Sequence, residues 1–153
     1  MSGNLSRSIA RLAAVQALYQ MEVSGATTAE VIADFTAGKL PRETEATYTE
    51  AEGDPDLFKM LVEKAVDRQA TLDRAIARHL GKGWRLERID AVARAILRSG
   101  AAELEQRIDI PVAVVIDEYV EIAKAFFDGP EPGFVNATLD AAARDLRPSV
   151  GGA

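Results

Sequence analysis

The chain has 153 residues, of which 48% are hydrophobic and 27% charged, so it can bury the core of one domain or of two small subdomains. Because the sequence contains no cysteine, disulfides, zinc fingers and thiol nucleophiles are excluded. The net charge of −6 argues against a protein that coats nucleic acid by bulk electrostatics, so any nucleic acid must contact a local cationic patch.

The first predicted helix, residues 5–22, carries two cations on one face. Arg7 and Arg11 are one helical turn apart, and the first 21 residues contain no acid. Two guanidinium groups at this spacing can hold two phosphates. The plainer interpretation is that both side chains lie on a solvent-exposed face and bind nothing. The opposite stripe is largely apolar and includes Tyr19, whose ring we expect to be buried.

A second helix is predicted from Thr27 to about residue 37. Thr27 is followed three positions later by Glu30, which is the pattern of a capping box. The next segment, residues 38–54, combines proline and glycine with spaced glutamates and threonines. This composition buries too little apolar surface to order itself, so the segment is predicted to be a solvated loop.

A strong helix start follows at Asp54, because a capping residue there precedes Pro55 at the first helical position. This third helix should run to about residue 79. Its predicted core stripe consists of Leu57, Leu61, Ala65, Leu72 and Ile76.

A Gly-Lys-Gly-Trp sequence at residues 81–84 marks the expected boundary between an N-terminal subdomain, residues 1–80, and a C-terminal one, residues 81–148. The fourth long helix is predicted over residues 86–106, and Gly100 on its apolar face indicates close approach of another helix. The last helix should end near residue 146, and the tail at 149–153 should fray.

The helix at residues 110–126 has the widest apolar stripe and is therefore expected to be the central helix. The stripe consists of Val112, Val115, Ile116, Tyr119, Ile122, Ala123 and Phe126. A turn with the sequence Asp-Gly-Pro ends this helix, and Pro132 can begin the next one. Phe134 then lies where the last helix starts.

Three blocks of this sequence resemble the transcription antitermination factor NusB family. The C-terminal block begins at Ile110 with Ile-Pro-x-x-Val-x-Ile-Asp-Glu-x-Val-Glu-Ile-Ala-Lys and continues after a short turn with Phe134-Val-Asn. The other blocks are Ala-Ala-Val-Gln-Ala-Leu-Tyr at residues 13–19 and Arg-Ala-Ile-Leu-Arg at residues 94–98. Three ordered blocks at compatible spacings are a specific match. The main unmatched segment is residues 39–54.

The resemblance implies an all-α fold of two packed helical subdomains and a cytoplasmic, non-enzymatic protein without a cofactor. Members of the family pair with NusE, a ribosomal protein, on single-stranded boxA RNA of ribosomal RNA transcripts. The pair helps the RNA polymerase antitermination complex pass termination signals. Some relatives form homodimers, and no membrane is involved.

The resemblance also implies RNA contacts at both ends of the chain. Arg7 and Arg11 match positions in the family's arginine-rich N-terminal stretch, which binds RNA. Ser8 and Ile9 stand where many relatives have further basic residues, which predicts weaker RNA binding by this chain alone. Phe134 lies in the C-terminal turn that takes part in RNA contact in the family.

Two further RNA-binding candidates follow from chemistry near that turn. A flat aromatic ring suits a stacked, unpaired base, so Phe126 or its neighbour Phe127 is a candidate, with the other ring in the core. The backbone N–H groups at the start of the last helix can hold a phosphate, or they can bond to Asn136. Asn136 is therefore the second candidate.

No catalytic or metal-binding pattern is found in the sequence. His79 is the only histidine, so the paired Glu-x-x-His motifs of a bundle metal site cannot form. Two other functions stay open at this point. One is an RNA-binding module related to ribosomal RNA methyltransferases, although no nucleotide-binding α/β domain is indicated. The other is a helical interaction protein that never binds RNA.

Overall fold

A computed structural model of the protein describes residues 2–38, 53–81 and 85–147, and these form seven α-helices and a short 3-10 turn. In chain order they are α1 (Ser2–Ser24), α2 (Thr28–Thr36), α3 (Pro55–Asp67), α4 (Gln69–Ala77), the turn Leu86–Arg88, α5 (Ala91–Gln106), α6 (Val112–Phe126) and α7 (Glu131–Leu146). The prediction of an all-α fold is confirmed. None of the described helices is long and apolar enough to cross a membrane.

Helix α5 is the central helix of the molecule. Eleven of its sixteen residues are buried, and it packs against α1, α3, α4, α6 and α7. The expectation that α6 is central was wrong, because α6 packs mainly against α5 and α7. The sequence pattern of α5 did not indicate that this helix is central. Its polar residues Arg94, Ser99 and Glu103 are of types expected to face solvent, but they are buried and hydrogen-bonded.

The apolar side chains form two adjoining cores. The smaller core lies between α1, α2 and α3, where the rings of Phe35 and Phe58 stack with their centroids 4.1 Å apart. The larger core joins α4, α5, α6 and α7 with parts of α1 and α3. Leu72 and Ile76 of α4 lie in this larger core, although they precede the predicted subdomain boundary near residue 80. That boundary stays a prediction.

At Gly100, α5 closely approaches α6 and α7. A Cβ atom added there would lie 2.8 Å from Cδ1 of Leu139 in α7 and 3.4 Å from Cδ2 of Tyr119 in α6. The first distance is shorter than real Cβ contacts, so a side chain cannot be added without displacing Leu139. The close helix approach predicted at this glycine is confirmed.

Both predicted caps in the N-terminal half are confirmed. Thr27 and Glu30 form a reciprocal capping box at the start of α2. The side chain of Asp54 accepts a hydrogen bond from the N–H of Leu57 at 3.0 Å. The backbone N–H of Asp54 also donates to the carbonyl of Ser6 at 3.0 Å, which ties the start of α3 to α1.

Two predicted helices differ from the observed ones. The third helix is interrupted for one residue at Arg68, where ψ is 13°, although all five residues of its predicted core stripe are buried. The fourth begins at Ala91 and not at residue 86, because the side chain of Asp90 accepts hydrogen bonds from the N–H groups of Val92 and Ala93. The predictions for residues 39–52 and for the tail 149–153 lie outside the described residues.

Replacing Asp54 by Ala is expected to lower the free energy of unfolding by about 1 kcal/mol, because the first turn of α3 loses its side-chain acceptor. Thermal denaturation should show a melting temperature lower by roughly 2–4 °C. Asp54→Asn keeps an oxygen at the same place and should melt close to the wild type. A melting temperature of Asp54→Ala equal to that of Asp54→Asn would contradict a stabilising cap.

Candidate nucleic-acid interface

Arg11 lies in the interior and not on the surface. The residue is 2% exposed, and its guanidinium group donates to both carboxylate oxygens of Glu103 at 2.6–3.1 Å and to Glu118 at 2.7 Å. Burial alone would lower the pKa of Arg11, but the hydrogen bonds to Glu103 together with the negative charges of Glu103 and Glu118 outweigh burial and raise that pKa above its ordinary value. The expectation that Arg11 offers a cation on an exposed face is therefore wrong.

The partners of Arg11 are themselves bonded to buried groups. Glu103 is fully buried and accepts a further hydrogen bond from the hydroxyl of Tyr119 at 2.9 Å. The hydroxyls of Tyr119 and Ser99 are 2.9 Å apart. Burial, together with the negative charge of Glu103, raises the pKa of Tyr119 well above its ordinary value. These groups therefore form a satisfied polar cluster between α1, α5 and α6.

Glu118 forms the outer part of this cluster. Its side chain is 29% exposed, and one carboxylate oxygen accepts hydrogen bonds from both the hydroxyl of Ser8 and the guanidinium group of Arg11. We name Ser8, Arg11, Glu103, Glu118 and Tyr119 together the Arg11 cluster. Through it, one turn of α1 is held against α5 and α6.

Helices α1 and α6 approach each other at this cluster and again further along both helices. Ser8 and Arg11 contact Glu118. Further along the two helices, Tyr19 and Phe126 line the same surface groove. Tyr19 is eight residues beyond Arg11, and Phe126 is eight residues beyond Glu118. At the rise of an α-helix, the two aromatic rings lie about 12 Å along the helix axes from the Arg11 cluster.

A surface groove of about 340 Å³ opens between α1, α5 and α6 at that level. It is lined by Val15, Gln16, Tyr19, Gln20, Val23, Val92 and Phe126. Tyr19 is 38% exposed and Phe126 is 37% exposed, so the expectation that Tyr19 is buried was wrong. Among the described residues that line the groove none is charged, so it suits a flat or apolar group better than a phosphate.

The remaining predicted RNA-binding residues lie at different places. Arg7 is half-buried, and its guanidinium group donates to the side chain of Asn4 at 2.8 Å. It precedes Tyr19 by twelve residues, or about 18 Å along α1. Phe134 is half-buried and packs against the larger core at the start of α7, and Asn136 is exposed on that helix. Arg7 and Phe134 thus lie on different helices, and the assignment of Arg7, Phe134 and Asn136 to RNA binding stays a prediction.

Comparison with known proteins decides the family. The sequence profile of the NusB family matches residues 8–144. The chain belongs to the NusB family. The transcription antitermination protein NusB of Caulobacter vibrioides is 56% identical over 149 residues, which cover 96% of this chain and 99% of that protein. The protein of the same name from Maricaulis maris is 51% identical over 142 residues, covering 93% and 88% of the two chains.

Solved NusB structures have the same fold. T. maritima NusB superimposes with a TM-score of 0.72 at 30% sequence identity, covering 93% of each chain. A chain from the crystal structure of antitermination factors NusB and NusE in complex with dsRNA has a TM-score of 0.72 at 26% identity, covering 90% of this chain and 96% of that one. The family resemblance seen in the sequence is thereby confirmed.

Within this NusB-family chain, the groove residues on α1 were not predicted as a site. Gln16 was the available signal, because it interrupts a stripe that is otherwise apolar. Gln16 and Gln20 are one turn apart, and both line the groove beside Tyr19. A polar position on an apolar stripe therefore marked the place where α1 faces solvent.

The described part of the chain contains no group of three or more His, Asp or Glu side chains that could hold a metal ion. His79 lies at the end of α4 and pairs with Asp145 of α7, with its Nε2 atom 2.9 Å from the carboxylate. The hydrogen bond from His79 lowers the pKa of Asp145, and the charge of Arg78 adds to this shift. The histidine therefore takes part in a helix–helix contact.

Proposed function

We propose that this NusB-family protein is a transcription antitermination factor that binds single-stranded boxA RNA of ribosomal RNA transcripts together with NusE. The names of its relatives and the solved complex of NusB with NusE and dsRNA support this role. The protein acts by recognition and scaffolding in the cytoplasm, as part of the RNA polymerase antitermination complex, and it catalyses no reaction.

The uncharged aromatic groove is the observation that carries the RNA-binding part of the proposal. An unpaired base presents a flat apolar face, which the exposed parts of Tyr19 and Phe126 can stack against. Its polar edge requires donors and acceptors together, and the amides of Gln16 and Gln20 supply both. The groove is thus chemically suited to bind an unstacked, unpaired base.

Residues outside the groove extend this surface in two directions. Arg7 lies toward the start of α1, where it can hold a backbone phosphate of the same strand. Only four residues separate α6 from α7, so Phe134 and Asn136 lie near the end of α6 that carries Phe126. The strand proposed here follows α1 along its length and is not gripped at one point.

The partner protein compensates for the charge of this chain. A chain with a net charge of −6 attracts RNA weakly, because affinity for a phosphate backbone depends on the cations that displace its counterions. We therefore propose that NusE supplies much of the positive surface of the complex. A homodimer is the competing assembly, and size-exclusion chromatography with and without NusE distinguishes the two.

The two other functions are less well supported. A module of a ribosomal RNA methyltransferase and a helical interaction protein without RNA binding both disagree with relatives named transcription antitermination protein. Binding of boxA RNA by the complex with NusE separates antitermination from a purely structural role. Absence of RNA binding in both the free and the NusE-bound chain would contradict the proposed function.

Replacing Phe126 by Ala is expected to weaken binding of single-stranded boxA RNA by about 1–3 kcal/mol, or roughly 5- to 150-fold, because one base loses its stacking surface. The measurement is fluorescence anisotropy of labelled RNA, with and without NusE. Val114→Ala is the matched control, since Val114 lies on the same helix and is 46% exposed. If Phe126→Ala abolished NusE binding and left RNA binding unchanged, the groove would be a protein-docking surface.

A further inference from the structure

The start of α1 is held in the molecule by polar contacts that the proposed RNA recognition does not use. Ser8 and Arg11 lie three residues apart on α1 and share one oxygen of Glu118 as acceptor. The guanidinium group of Arg11 continues from there to both oxygens of Glu103 on α5. A single buried side chain therefore connects three helices.

Such a contact fixes the geometry of α1 more narrowly than an apolar contact does. The donors of a guanidinium group form a rigid planar fork, so carboxylates on two different helices can satisfy it in few orientations. Apolar side chains, by contrast, tolerate small sliding and rotation of one helix on another. The Arg11 cluster consequently sets the rotation of α1 and its register against α6.

The same register determines the shape of the groove. Tyr19 lies eight residues beyond Arg11 on α1 and Phe126 eight residues beyond Glu118 on α6, about 12 Å along the axis of each helix. A shift of α1 by one position against α6 would move the ring of Tyr19 relative to that of Phe126 by about 1.5 Å and 100° around the helix. The placement of the start of α1 therefore affects how the two rings share the groove.

We propose that Arg11 and Glu118 are positioning residues for RNA binding: they hold α1 against α6 so that the groove between Tyr19 and Phe126 is formed, and Arg11 itself contacts no phosphate. This inference rests on the function proposed above. Arg11 is a cation in an N-terminal stretch that is suited to phosphates. In this inference it affects RNA binding indirectly, through the placement of Tyr19 and Phe126.

For the loss of Glu118, electrostatics alone and the positioning role predict opposite changes in RNA affinity. A partly exposed carboxylate near the start of α1 repels phosphates, so its removal should strengthen RNA binding. Positioning predicts that Glu118→Ala weakens binding, because Ser8 and Arg11 lose their shared acceptor. Glu118→Gln separates the two effects, since its amide oxygen still accepts these hydrogen bonds while the negative charge is absent.

The test compares wild type, Glu118→Ala, Glu118→Gln and Arg11→Lys as full chains with NusE. Affinity for labelled single-stranded boxA RNA is measured at several salt concentrations. Circular dichroism confirms that each variant is folded at the assay temperature. Glu121→Ala is the matched control, because Glu121 lies on the same helix with its side chain 67% exposed and paired to Lys124 at 3.6 Å.

We expect Glu118→Ala to bind RNA at least about fivefold more weakly than Glu118→Gln, with the same slope of log affinity against log salt concentration. Arg11→Lys keeps the charge but loses the planar fork, so it should also bind more weakly at an unchanged slope. Equal affinities of Glu118→Ala and Glu118→Gln would overturn the inference. So would an Arg11→Lys variant that binds like the wild type, as a direct phosphate contact predicts.

The comparison between the two Glu118 variants tests the positioning role even if Arg11→Lys does not fold. Both Glu118 variants are expected to fold, because Glu118 is partly exposed and its loss leaves Arg11 paired with Glu103. Failure of the wild-type complex to bind boxA RNA would overturn the proposed function and this inference with it, whereas RNA binding by the wild type with equal affinities of the two Glu118 variants would overturn the inference alone. The two failures are therefore distinguishable within one experiment.

Discussion

Glu103→Ala is expected to lower the free energy of unfolding by about 3–5 kcal/mol, the largest effect of any single substitution we predict. Glu103 is fully buried and holds the guanidinium group of Arg11 by three hydrogen bonds. Without it, Arg11 keeps its charge in the interior with one partner left, and the hydroxyl of Tyr119 loses an acceptor. Since domains of this size are stable by about 5–15 kcal/mol, the loss is a large part of the total.

Urea denaturation followed by circular dichroism measures this effect. Glu105→Ala is the matched control, because Glu105 lies two residues further on α5 and binds Arg68 with the same two-pronged geometry at 2.8 and 3.0 Å. That pair lies at the surface, where solvent screens the charges, so its loss should matter much less. Equal destabilisation by both substitutions would show that burial does not determine the strength of these ion pairs.

The capped starts of α2 and α3 were predicted correctly from sequence. Helix starts depend on residues within one turn of one another, as in the capping box at Thr27 and Glu30 or the Asp54-Pro55 start. The apolar stripe of α3 and α4 was likewise a local pattern. Its residues were correctly placed in the core even though Arg68 interrupts the helix.

The role of Arg11 could not be predicted in the same way. Periodicity shows on which face of a helix a side chain lies, but it does not show which distant group covers that face. The two carboxylates that bind Arg11 are 92 and 107 residues away in sequence. When these partners are not known, an arginine in a basic stretch is expected to be a surface cation. The sequence contained no pattern that indicated its burial.

Tyr19 illustrates the opposite error. It continues a stripe whose earlier members, Ile9 and Leu12, are buried, so periodicity predicted burial there too. At the level of Tyr19, however, the stripe faces the groove beside Phe126. The sequence pattern therefore indicated Phe126 as a candidate but neither Tyr19 nor the groove, because a groove depends on where neighbouring helices begin and end.

Gly100→Val is expected to lower the free energy of unfolding by about 2–3 kcal/mol through overpacking of the core. The Cβ atom alone would lie 2.8 Å from Leu139, which is fully buried and cannot turn toward solvent. A branched side chain adds two more methyl groups between α5, α6 and α7. The gain in helix propensity over glycine, at most about 1 kcal/mol, is too small to offset this clash.

Two comparisons show whether the clash with Leu139 is the cause. Gly133→Ala in α7 is the control, because a Cβ there meets nothing within 4 Å and should stabilise the helix slightly. In the double variant Gly100→Val with Leu139→Ala, the smaller residue leaves room for valine, so the two losses should sum to less than their separate values. Additive losses would mean that another neighbour, such as the ring of Tyr119 at 3.4 Å, and not Leu139 excludes the valine.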